Sequence, residues 1–196
     1  MSLNVRRLAT LAGVAVLGGA VSLANGAEPG GSHHAASSPG PAAAAAAPAP
    51  AVIAAARTIA RAHVGALRHA RRPGHDAIAA SVASGPLLSG GLIDPATSRE
   101  VVGGRSAAWV VSSSDGQSVC AVLRQGAAAC SSVAALVDDG LSPGVMGRMG
   151  EPFHVFGVTA DDVSEVVLVQ TGGSRTSVSV TDNFFDVSAD DWPASL

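Results

Sequence analysis

The run SAAWVVSSSDGQSVCAVL, residues 106–123, reads as a β-hairpin. Trp109-Val110-Val111 is an apolar, β-favouring core to a strand over Ser106–Ser112. Asp115-Gly116 supplies the turn, and Gln117–Leu123 returns with Val119, Cys120 and Val122. From Arg99 onward the same grammar continues. Ala127–Ser131 reads as a third strand or as the approach to a short helix over Val133–Val137, which Gly140 ends. Further strands are expected at Phe153–Val158, Ser164–Gln170, Arg175–Thr181 and Asn183–Val187, with Thr171-Gly172-Gly173-Ser174 turning between two of them. Val178 and Val180 alternate with Ser177, Ser179 and Thr181, the period of a strand buried on one face. Short strands joined by glycine turns predict a mainly β domain: a small antiparallel β-sandwich or open barrel.

This domain is expected over 99–188, followed by a tail at 189–196 that holds Asp190-Asp191. Its apolar content comes from small residues. The whole chain has no Tyr, four Phe and two Trp, so the core must be built from Val, Leu and Ala. Cys120 and Cys130 are the only cysteines, and they close a loop of 11 residues. In an exported chain such a pair reads as one disulfide. The alternatives are two buried thiols or a metal site, and structural zinc wants more ligands than His154 could add.

Export is the expectation from the first 27 residues. Arg6 and Arg7 precede an uncharged stretch from Leu8 to Ala24, and small residues close it at Ser22–Gly26. Basic start, apolar middle and small-residue end is the order of a secretory signal peptide, here over 1–27. An uncleaved membrane anchor is the competing reading, weakened by Gly13, Gly18, Gly19 and Ser22. A twin-arginine signal wants bulky apolar residues where Ala9 and Thr10 stand. Membrane association is expected only if the segment stays uncleaved.

Residues 28–50 form a Pro/Ala-rich linker, too poor in large apolar groups to offset its ordering entropy. His33-His34 falls here as a solvated pair. Residues 51–72 read as an amphipathic helix ended by Pro73-Gly74. At 100° per residue, Arg57, Arg61, Arg68, Arg71 and Arg72 share one face, with Val52, Ile59 and Leu67 near the opposite side. No acidic residue relieves the like-charge pairs, whereas 99–196 carries 12 acidic residues against 5 arginines. The helix therefore either meets an anionic cell-envelope surface, docks on its own acidic domain, or stays solvated. Residues 73–98 read as a second linker with local order.

Trp109-Val110-Val111, Val119-Cys120-Ala121-Val122, Cys130, Phe156-Gly157-Val158, Asp162-Val163-Ser164-Glu165-Val166 and Asp182-Asn183-Phe184-Phe185 resemble a group of uncharacterised exported proteins of high-GC Gram-positive bacteria. The resemblance covers 99–187 and none of the basic helix. It implies the architecture and the compartment, and no catalytic residue.

Motifs for chemistry are few. Gly140-Leu141-Ser142-Pro143-Gly144 matches the G-x-S-x-G elbow, but Pro143 has no N–H to give an oxyanion hole, so a turn is expected. His154 is the only histidine in the β-rich part and is expected on an exposed strand face. Asp161, Asp162, Glu165, Asp182 and Asp186 lack the spacing of a calcium loop and suit turns. No catalytic residue, metal site or cofactor is expected, and the compartment and scarcity of aromatics argue against nucleic acid. The expected function is an exported, secreted or cell-surface, non-catalytic β domain serving interaction or structure, its partner an anionic envelope surface or a protein. A membrane-anchored extracytoplasmic sensor or accessory protein and a small hydrolase are the alternatives.

Overall fold

A computed structural model describes residues 7–10, 48–85, 89–103, 106–147 and 152–189. The signal region apart from 7–10, the linker with His33-His34, and the tail from Asp190 lie outside the described residues. In chain order, the strand Arg7–Thr10 is β1, the helix Pro50–His63 α1, and the short helix Ala80–Ala83 α2. Strands Arg99–Gly103 (β2), Ser106–Ser112 (β3), Ser118–Leu123 (β4) and Ala128–Ser132 (β5) come next. Helix Val133–Asp139 (α3) then leads to Leu141–Met146 (β6), Phe153–Thr159 (β7), Val163–Val169 (β8), Arg175–Ser179 (β9) and Phe184–Ala189 (β10).

Among the described residues the strands form three sheets, ordered β2-β3-β4-β5, β10-β7-β6 and β1-β8-β9. All pairings are antiparallel except β1 with β8, so the architecture is mainly β and antiparallel. Alternation along each strand stacks the sheets. Ala108 and Val110 of β3, and Val119, Ala121 and Leu123 of β4, face Phe156, Val158 and Phe184 of the second sheet. The intervening residues, Val155 of β7 and Phe185 of β10, face Val163, Val166 and Leu168 of β8. The middle sheet is thus covered on both faces. So is the β3–β4 hairpin, because Trp109, Val111, Cys120 and Val122 pack outward against Val82 and Ile93. Strands buried on two faces need continuous apolar runs, which is why this hairpin stands out in the sequence.

That packing corrects the reading of 73–98 as a linker. Val82 and Ile93 are buried, and Ile78 packs beside them as a lid on the first sheet. The turn expected at Gly140–Gly144 is also revised. Gly140, at φ 78°, caps α3, and Leu141 onward is strand β6. Pro143 fits there because β6 is the edge of its sheet, facing Gly157 of β7. Gly157 is required for that approach. A Cβ on it would sit 2.1 Å from the Ser142 carbonyl oxygen and 3.0 Å from Phe185.

Candidate functional site

The helix expected over 51–72 ends at His63. Pro50 opens α1 at a position where its missing N–H costs nothing. At the other end Val64 turns extended, with φ −126°, and a 3₁₀ turn follows at Gly65–Arg68. The break lets Val64, Ala66 and Leu67 enter the core with Ala60. Arg68 folds back and donates to the carbonyl oxygens of Arg61, at 2.8 Å, and Ala62, satisfying free acceptors at the helix end.

The break also disperses the arginine stripe. Arg57 pairs with Asp94 at 2.6 Å and reaches the Ser114 carbonyl. Arg68 pairs with Asp161 at 2.7 Å. Arg72 pairs with Asp76, whose carboxylate is fully buried and also accepts from the backbone N–H groups of Arg72 and Glu100. Burial pushes the Asp76 carboxyl up, but those backbone bonds and the Arg72 guanidinium hold it below the ordinary carboxylate value. Arg61 and Arg71 are exposed and, among the described residues, make no ion pair.

Arg99, which a helical-stripe reading has no way to select, is tied to the loop that follows the 3₁₀ turn. Its guanidinium donates to the carbonyl oxygens of His69, at 2.6 Å, Ser98 and Thr97. Burial lowers its pKa; Asp76 draws it back up, and the charges of Arg61 and Arg71 push it down.

A second constellation gathers just past the C-terminal end of β7. Asp161 accepts from the Gly65 N–H, from Arg68 and from the Asn183 side chain, while Asn183 accepts from the Ala66 N–H. Asp182 and Asn183 both take left-handed backbone, as turn residues of this type tolerate. Asp186 is elsewhere, buried on β10 with neither carboxylate oxygen hydrogen-bonded, and His154 Nδ1 lies 3.6 Å from it. Ser142 is buried in β6. Among the described residues no three His, Cys, Asp or Glu side chains are placed to hold a metal.

Cys120 and Cys130 form a disulfide between directly opposed residues of β4 and β5, with Cα atoms 4.0 Å apart. A groove of about 530 Å³ between α1 and α3 is lined by Val52, Ile59, His63, Val133 and Val137. Among the described residues no helix is long and apolar enough to cross a membrane. Comparison with protein families, curated proteins and solved structures finds no match to this chain.

Proposed function

We propose that this chain is an exported, non-catalytic β module that works outside the cytoplasm as an interaction or structural element of the cell envelope. The observation that carries the reading is the Cys120–Cys130 bond in the centre of a paired strand ladder, since such bonds persist in oxidising compartments. The order of charges and small residues over 1–27 supports it. Residues that could do chemistry support a binding role over a reaction. Ser142 is buried, and the carboxylates of Asp76 and Asp161 are occupied in holding backbone N–H groups. Cleavage near Asn25–Glu28 would remove β1 and leave β8 at the edge of a two-stranded sheet.

Intact-mass analysis of protein recovered from cells and medium tests the proposal. The expected species is extracellular, begins near Asn25–Glu28 and has both sulfurs oxidised. Untrimmed chain inside the cell with both thiols open to alkylation overturns it.

A further inference from the structure

We propose that His154, Asp186 and Met146 form a binding site for a copper ion on the middle sheet. Asp186 is the anomaly that leads there. Its side chain is 1% exposed, and neither carboxylate oxygen has a hydrogen-bond partner among the described residues. A carboxylate buried in this way is costly unless a counter-charge, a water or an ion meets it. The group that faces it is His154, whose Nδ1 stands 3.6 Å from Oδ1, too far for a good hydrogen bond.

That gap is close to the length of a shared ion. Two ligands each about 2.0–2.1 Å from a tetrahedral metal lie about 3.3–3.4 Å apart. A small movement of the His154 ring, which is 37% exposed, would close both bonds. Imidazole ligates through Nδ1 when Nε2 carries the proton. The exposed side of the ring gives an ion and its remaining waters a way in, and the carboxylate supplies the negative charge.

Strand register brings a third donor. His154 of β7 stands directly opposite Met146 of β6, and Asp186 of β10 stands opposite Phe156 of β7. Residues opposed to one another, or two apart on a strand, share a face of the sheet. All three therefore lie on the Phe156 face, and Met146 does pack against the core that holds Phe156. Directly opposed Cβ atoms are about 4.5–5.5 Å apart, so the thioether is within reach of the imidazole. Its sulfur makes a weak contact with Gln125 Nε2 at 4.0 Å, which leaves it able to donate to a metal. The thioether stands in for the third acidic or imidazole ligand that the described residues do not supply.

The donor set selects the ion. Imidazole with a thioether favours copper, whereas calcium and magnesium want oxygen ligands. One ligand comes from each of three strands, so no sequence spacing announces the site.

The test uses the full chain carrying His33→Gln and His34→Gln, so that this tail pair does not compete, with Cu²⁺, Zn²⁺ and Ca²⁺ as probes. Nuclear magnetic resonance reads where the ion sits. At one equivalent, Cu²⁺ should broaden the amide signals of Met146, His154 and Asp186, and excess Ca²⁺ should not reverse it. His154→Gln should lose that local broadening. Asp186→Asn should bind Cu²⁺ at least about tenfold more weakly, since losing even an indirect support of a metal ligand costs that much. Asp186→Asn removes a buried charge, and His154 is half-exposed, so at least one of the two variants keeps the fold. Met146→Leu should weaken Cu²⁺ binding more than Zn²⁺ binding. No local broadening, or equal binding by His154→Gln, overturns the site and leaves His154 and Asp186 a structural ion pair only. Displacement by Ca²⁺, or a Met146→Leu variant that binds Cu²⁺ like the parent, overturns the copper assignment. Failure of export leaves this in-solution measurement intact, so the two readings fail separately.

Discussion

Asn183 donates its side-chain N–H to the Asp161 carboxylate at 2.9 Å, while its own oxygen receives the Ala66 N–H at the same distance. Two residues from different turns thereby hold the first free N–H groups beyond α1. Removing either leaves backbone donors without partners. Asp161→Ala and Asn183→Ala are each expected to cost about 1–3 kcal/mol, read as a lowered urea midpoint. Because they share one network, the double variant should lose less than the sum of the two.

Acid should unfold this protein through the same contacts. Burial raises the Asp161 carboxyl, but the bonds from Asn183, Arg68 and Gly65 outweigh it, so its folded pKa lies below 3.8; Asp76 behaves likewise. A group depressed on folding stabilises above its unfolded value and loses that contribution as pH falls through the folded one. Thermal midpoints should therefore hold from neutral pH down to about pH 4 and fall steeply below it. Asp76→Asn should flatten that acid limb and lower the neutral midpoint, and a limb unchanged by the substitution would refute the assignment.

Loss of the disulfide should weaken the domain without abolishing it. Cross-linking residues 10 apart in sequence stabilises by about 2.5–3 kcal/mol in the chain-entropy model. The Cys120→Ala/Cys130→Ala variant is expected to keep its β circular dichroism and unfold at lower urea by that amount.

Gly157→Ala is the sharpest test of the middle sheet. The added methyl would overlap the Ser142 carbonyl, which is backbone and cannot swing away. A loss of about 3 kcal/mol or more is expected, or failure to accumulate folded protein. Gly172→Ala meets nothing within 4 Å and should be close to neutral.

Strand order of burial was legible because period two and period one patterns carry it directly. The alternating Ser and Val of β9 mark a sheet with one wet face, and the unbroken Trp109-Val110-Val111 marks one with none. What escaped is tertiary. The apolar positions of 51–72 fit a continuous helix, yet Val64 leaves it so that Leu67 can reach the sheets. The cause, N–H groups caught by Asp161 and Asn183 about a hundred residues away, has no local signature. The 73–98 stretch misled for a related reason. Its turns are conspicuous, whereas Val82 and Ile93 are single anchors whose burial depends on Trp109 and Val111 standing beneath them. Arg99 escaped because its bond to the His69 carbonyl joins segments 30 residues apart, which no local pattern marks.

The sulfur link fastens neighbours within one leaf and crosses no seam between leaves. β5 is the outer strand of its sheet, so the bond works as a hem stitch, while Phe156 and Phe184 hold the leaves together by contact alone. Thiol reagents should consequently fray the border around residues 128–132 well before the stack opens. Redox conditions would then tune how firmly that margin is sewn, and leave the underlying architecture to its aromatic and aliphatic filling.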